Sequence, residues 1–354
     1  MSFLNSIWYE KKSLLGSLAM IPLMPLSWIY ATVACTRRVM YAKGVLKSSA
    51  PAVPVVVVGG ITLGGSGKTP LCIALLKELK KRGYNPALIS RGYKGSAPSY
   101  PMMVEMDSKV EESGDEPLLI KRSVGKDIMV AVDPDRARGA FMLAEKGADV
   151  IVTDDGLQHY SLDRDVEIVV AETGRMFGNG HLFPAGPLRE GLWRLTTIDA
   201  LVCNGDGVVK TGDYAMHLIP SEPKKFDGAA GVLKEGTEVC AMAGIGNPKR
   251  FEDTLSACGY VVKDRINVPD HGRVEEAEIS SKAKDLPVVM TAKDAVKYSG
   301  FENENVYVMN VEAQLNHFFF ETVVDKIVSS HNKVTIRADK LNKKIDATES
   351  VHSS

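Results

Sequence analysis

From Val55 onward the chain alternates short runs of branched apolar residues with stretches whose apolar positions recur every three or four residues. Val55–Val58 is the first such run. Consecutive valines leave no polar face, which is the pattern of a strand buried on both sides in a parallel sheet. Leu71, Leu75 and Leu79 then fall four apart between Thr69 and Arg82, predicting an amphipathic helix that Gly83 ends. The same alternation continues with strands predicted at Ala87–Ser90, Ile128–Val132, Val150–Val152, Val166–Ala171 and Ala200–Cys203. Helices are predicted over Leu118–Arg122 and from Asp133 to about Lys146. Strands and helices taken in turn imply an α/β fold with a parallel-sheet core.

A second series starts at Val239–Ala243, continues through a helix over Lys249–Cys258 and strands at Val288–Thr291 and Val306–Val311, and closes with a helix over Gln314–Ser329. The expected organisation is therefore an apolar membrane-associating segment over 1–49, a nucleotide-binding domain over 50–204 and a mixed interdomain region over 205–234. A second α/β domain over 235–330 and a polar tail over 331–354 complete it. The Gly-x-Gly at Gly244–Gly246 lacks the third glycine of a dinucleotide turn, so it reads as a tight strand-to-helix connection.

Composition narrows the function classes. With 354 residues, 45% of them hydrophobic, the chain can bury two cores. A net charge of −1 gives no electrostatic reason to expect a nucleic-acid partner. The five cysteines are scattered without metal-ligand spacing. The N-terminus departs from this globular picture: no charge occurs from Leu14 to Thr36, while Lys11, Lys12, Arg37 and Arg38 flank the stretch. It is long enough to span a bilayer, but Gly16, Pro22 and Pro25 interrupt it and favour a bent or interfacial helix equally. A cleaved leader would export a nucleotide-using domain away from its ATP. A helix docked on the soluble body is a second alternative; cytoplasmic-side membrane attachment is the expectation.

The strongest chemical signal follows the first strand. Gly64-Gly65-Ser66-Gly67-Lys68-Thr69 supplies a glycine turn, a lysine and a hydroxyl at the start of a helix. Backbone amides and a helix N-terminus cradle phosphates there, Lys68 reaches the outer phosphates and Thr69 ligates Mg²⁺. The full phosphate-loop pattern would also place glycine where Thr62 stands. A nucleoside triphosphate with Mg²⁺ is what this implies. A strand ending in Asp154 is the expected partner of such a loop, because its carboxylate must lie beside the metal that Thr69 holds. For Asp155, water-mediated metal binding, substrate positioning and turn capping all remain open. Asp115 is either a helix cap or a carboxylate that orients an attacking hydroxyl. Arg91 and Arg189, each in a loop, are candidate phosphate or substrate contacts. The long Gly174–Trp193 excursion that carries Arg189 is expected to be an active-site surface loop.

Several separated segments together resemble the tetraacyldisaccharide 4'-kinase family. They are Gly64–Pro70, Ser90–Tyr93, Gly114–Pro117, Asp133–Arg136, Asp154–His159, Pro184–Arg189, Gly244–Pro248, Asp270–His271 and Lys293–Lys297. The resemblance implies a two-domain P-loop NTPase-like kinase, attached to the inner membrane with its body in the cytoplasm. It would use ATP to phosphorylate the 4' hydroxyl of an acylated glucosamine disaccharide 1-phosphate held at the cytoplasmic leaflet. Lys68 and Thr69 are carried over for the phosphates, Asp154 and Asp155 for Mg²⁺ and ATP, and Asp115 as a catalytic carboxylate paired with His271. Gly60, Gly272 and Ala292 depart from the family pattern at flanking positions.

Overall fold

The structure is a computed structural model that describes residues 7–9, 20–207, 210, 212–269, 272–330 and 332–339. Its organising strand, β1 (Val55–Gly59), is buried at every position. Alternate side chains of a strand point to opposite faces. Val56 and Val58 accordingly meet Leu71, Leu75 and Leu79 of the helix α2 (Lys68–Lys81) on one face, whereas Val55 and Val57 meet Ile89, Ile151 and Leu143 on the other. Each leucine so buried contributes about 1.5–3 kcal/mol of transfer free energy.

The chain continues through β2 (Pro86–Ser90), β3 (Met102–Met103), β4 (Met129–Val132), β5 (Val150–Thr153), β6 (Val166–Glu172), β7 (Ala200–Asn204) and β8 (Tyr214–Pro220). These strands belong to one sheet. A five-stranded sheet follows, built from β9 (Lys224–Lys225), β10 (Glu238–Ala243), β11 (Val261–Asn267), β12 (Val288–Thr291) and β13 (Val306–Met309). The chain then returns: β14 (Val311–Leu315) pairs antiparallel with β8, completing a nine-stranded sheet in the order β14-β8-β7-β6-β1-β5-β2-β4-β3. The expected parallel core is present, with antiparallel pairs added at both edges of the large sheet and between β9 and β13.

The return differs from the single strand expected at Val306–Val311. Asn310 divides it, and the alternating burial of β14 suits a sheet edge. The terminal helix, His317–Ser329, places Phe319, Val323 and Ile327 in the core with Val56 of the large sheet and Leu76 of α2. Residues assigned by composition to the interdomain region and the second domain thus supply β8, β14 and this helix to the large sheet.

At the N-terminus, α1 (Met24–Ala42) sits on the Gly174–Trp193 excursion. Ser27 Oγ donates to the Leu182 carbonyl at 2.8 Å and accepts from the Ala185 amide at 2.9 Å, and the Tyr30 hydroxyl donates to the Arg189 carbonyl at 3.1 Å. Arg38 stacks over Trp193 at 4.1 Å. Among the described residues no helix is long and apolar enough to cross a membrane. The outward side of α1 and the turn before it nevertheless expose Ile21, Leu26, Trp28, Ile29 and Val33, Trp28 at 64%.

Candidate functional site

Parallel pairing of β1 with β5 and β6, and of β2 with β5 and β4, brings the segments that follow β1, β2, β4 and β5 to one sheet edge. Ligands meet parallel sheets at that carboxyl edge. The phosphate loop leaves β1 there. Gly67, at φ 97°, turns the chain into α2, a conformation in which any Cβ would also lie 2.7 Å from Asn204 Nδ2. Among the described residues no main-chain amide from Gly64 to Gly67 has a main-chain acceptor, and the buried Ser66 hydroxyl has no partner. Lys68 folds back over the loop, its Nζ 3.5 Å from the Gly64 carbonyl and 3.8 Å from Asp155 Oδ1. Thr69 is half-buried in the first turn of α2. Unpaired amides, a helix start and a lysine at one place form a polyanion cradle.

Asp154 and Asp155 follow β5 directly, and their surroundings drive them apart. Asp154 is 2% exposed. Burial, then the negative charges of Glu116 and Asp155, push its carboxyl up to about 7 against the pull of Lys68 and Arg136. For Asp155 burial also acts upward, but Lys68 and Arg189 hold its carboxyl well below the usual range. Arg189 spends its fork there: Nη1 and Nη2 donate to Asp155 Oδ2 and Oδ1 at 3.0 and 2.8 Å, and Nη2 also donates to the Gly60 carbonyl at 3.0 Å. Arg189 is thus a half-buried partner of the Asp155 carboxylate. The turn itself is strained, since Asp155 has φ 47°.

Arg136 was not singled out from the sequence. It is the first residue of the helix Arg136–Glu145, whose cap, Asp135, accepts from the Ala137 and Arg138 amides. Its guanidinium donates to the Asp154 carbonyl at 2.9 Å and the Asp155 carbonyl at 3.0 Å, fixing the carboxylate step from below. Burial lowers its pKa, and the two aspartates push it back up. The signal in the sequence, Asp-Pro-Asp-Arg, marks the helix start without revealing that the arginine reaches another strand.

A cavity of about 520 Å³ opens beside this step. Arg37 of α1, Arg91, Arg136, Arg189, Glu116 and Tyr93 line it together with both aspartates, Gln158 and His159. Arg91, exposed, is where the sequence placed it, at the end of β2. Gln158 Nε2 donates to the Gly60 carbonyl at 3.1 Å, tying the cavity wall to the end of β1. The phosphate loop and the arginine-lined cavity therefore adjoin through Lys68, Asp155 and Arg189.

Asp115 is buried at the first position of the helix Asp115–Val124, so Gly114 is the cap residue and the Asp115 Oδ1 accepts from the Glu116 amide at 3.0 Å. The neighbouring Glu116 reaches across to the small sheet, where Lys293 Nζ lies 2.9 Å from its Oε1. His271, expected to pair with Asp115, lies outside the described residues.

The residues fit Mg²⁺. Among the described residues no group of three or more His, Cys, Asp or Glu side chains could hold a metal unaided. Mg²⁺ asks for less: one or two protein ligands, with phosphate oxygens and water completing the shell. The Asp154 carboxyl, pushed up first by burial and then by the charges of Glu116 and Asp155, is one that a divalent cation would ionise and stabilise.

The family model described as tetraacyldisaccharide-1-P 4'-kinase matches residues 19–329. A tetraacyldisaccharide 4'-kinase of Aeromonas hydrophila is 40% identical over 326 residues, covering 92% of this chain and 96% of that protein. One from Shewanella baltica is 41% identical over 330 residues, covering 92% of this chain and 95% of its own. The crystal structure of LpxK from Aquifex aeolicus in complex with ATP superposes with a TM-score of 0.72 at 26% identity, over 87% of this chain and 99% of that one.

Proposed function

The chain belongs to the tetraacyldisaccharide-1-P 4'-kinase family, and on that premise we propose how it works as an ATP-dependent kinase. It transfers the terminal phosphoryl group of ATP to the 4' hydroxyl of a tetraacylated glucosamine disaccharide 1-phosphate. The observation that carries this is the junction of a glycine loop with unpaired amides and an arginine-lined cavity across the Asp154–Asp155 step.

In this account the Gly64–Gly67 amides and the Ser66 hydroxyl hold the phosphate chain, and Lys68 swings from Asp155 onto the outer phosphates. Thr69 and Asp154 would hold Mg²⁺, which when bound would neutralise phosphate charge. Asp155, fixed by Arg189, keeps the lysine poised at the loop. Asp115, assisted by His271, orients the sugar hydroxyl and takes its proton during in-line attack. Arg91 faces the acceptor from the cavity wall. The two sheets act as lobes joined across Glu116 and Lys293, and their approach excludes water that would waste ATP. Asp115→Asn is expected to cut transfer by roughly 10²–10⁴-fold with ATP affinity kept; unchanged turnover would remove Asp115 from the mechanism.

The exposed apolar side of α1 supports attachment to the cytoplasmic leaflet of the inner membrane, with the catalytic body in the cytoplasm. An enzyme seated there meets an acylated acceptor without extracting its chains from the bilayer. Recovery of the full-length chain in the soluble fraction after carbonate extraction would count against this placement. For the reaction, incubation with labelled ATP and the acylated disaccharide 1-phosphate should yield label at the 4' position by mass and linkage analysis. Pi release without a phosphorylated sugar would make the protein a nucleotide-driven switch instead.

A further inference from the structure

On the face of the phosphate loop away from the arginine-lined cavity, β7 ends in Asn204, which is 1% exposed. Its Nδ2 donates to the Ser66 carbonyl at 3.0 Å, inside the loop itself. Its Oδ1 is buried and has no donor among the described residues. The backbone of Asn204 is otherwise occupied: its carbonyl accepts from the Thr173 amide at 2.9 Å and from the Thr173 hydroxyl at 3.2 Å. A buried amide oxygen without a donor is costly and calls for a partner such as a water, an ion or a ligand. The nearby Ser66 hydroxyl is orphaned in the same way.

We infer that Asn204 reads the nucleobase of the bound triphosphate and sets its preference for adenine. This deepens the proposed ATP site and rests on it. An asparagine side chain can offer an acceptor to the adenine 6-amino group and a donor to N7, and Oδ1 is the atom left for the first of these. Guanine presents an oxygen at that position, so two acceptors would face each other. The place in the sheet is suitable as well. Asn204 stands one strand beyond β6 from β1, at the carboxyl edge that faces bound ligands, and is tied to the loop that would hold the phosphates. Because water is kept from Oδ1, a base lacking the amino group leaves the oxygen unpaired and loses affinity that solvent does not restore.

The test compares equilibrium binding of ATP, GTP and purine riboside 5'-triphosphate, which lacks the 6-amino group, to the full-length protein with Mg²⁺. Native protein should bind ATP about tenfold or more tightly than either competitor. In Asn204→Ala the three should converge to within about twofold, a loss of ratio that goes beyond any general weakening of the loop. A role confined to holding Ser66 would lower all three affinities together and leave the ratios unchanged, and that result overturns the inference. So does native protein that binds ATP and purine riboside triphosphate equally, a comparison that needs no variant to fold. If native protein binds none of the three, the phosphate-loop reading has failed and this inference falls with it; equal binding of all three removes the base contact alone.

Discussion

Two strand–glycine–helix turns stand in this chain, and they meet opposite fates. The first runs from β1 through Gly64–Gly67 into α2, and the second from β10 through Gly244–Asn247 into the helix Pro248–Ala257, with proline in the first helical turn in both. In the first, no amide from Gly64 to Gly67 has a main-chain acceptor among the described residues, and the geometry is that of an anion cradle. In the second, the chain supplies an anion of its own to the first amide of the turn, that of Gly244. The Gly244 amide donates to Asp294 Oδ2 at 2.8 Å, and Lys297 Nζ, also bonded to the Gly272 carbonyl, lies 2.7 Å from Asp294 Oδ1. Asp294 is fully buried and also accepts from the Thr291 hydroxyl at 2.6 Å. The lesson is that a glycine turn at a strand end offers backbone donors in either case. Whether they bind a ligand depends on whether a side chain from a distant segment has already taken them.

The contrast can be broken or sharpened in several ways. Asp294→Ala should give the largest effect, because it leaves Lys297 buried without its counter-charge; unfolding free energy should fall by about 3–5 kcal/mol in urea titrations. ATP affinity per folded molecule should stay as it was, and a selective loss of ATP binding would mean the second turn is part of the nucleotide site. Lys68→Ala acts in the opposite sense. Stability should change little, whereas transfer should drop by roughly 100- to 1000-fold, about 2.7–4 kcal/mol. Near-native turnover would erase the distinction between the two turns.

Asp154→Asn separates function from stability within the open turn. Its carboxyl is pushed up to about 7, mainly by burial, so the stability gained from holding it protonated is lost as pH rises from the unfolded value toward 7. At pH 8 the ligand-free variant should therefore melt a few degrees higher than native while losing phosphoryl transfer. A lower melting temperature would contradict this. The smallest effect concerns His159 in the cavity wall. Burial, then Arg136 and Arg164, lower its pKa to about 4. Its neutral form is the one the fold holds, so it subtracts stability as pH falls from about 6.5 toward 4. His159→Gln should flatten the stability profile in that window by on the order of 1–3 kcal/mol, as followed by denaturation at pH 7 and pH 4.5.

What could be read in advance was what local pattern encodes. The valines of β1, the four-residue leucine spacing of α2 and the glycine loop between them involve neighbours in sequence, and the strand ending at Asp154 announces itself by the same apolar-to-acidic switch. What escaped was set by distant partners. Arg136 closes on the Asp154 carbonyl 18 residues away, and Arg189 on Asp155 34 residues away. The excursion expected to be an active-site loop is also the seat of α1, joined to Ser27 across more than a hundred residues, which apolar periodicity alone does not record. The return of β14 to the large sheet was hidden because edge strands alternate burial weakly and pairing partners leave no mark on composition.

The account stands most directly on the open turn, and one measurement addresses it: titration of Mg²⁺ and ATP into native and Lys68→Ala protein, followed by addition of the acylated disaccharide 1-phosphate. Saturable ATP binding by native protein, weakened in the variant, and a sugar labelled at its 4' position are the predicted results. ATP binding unaffected by the Lys68→Ala change, or bound ATP that never labels the sugar, would contradict it.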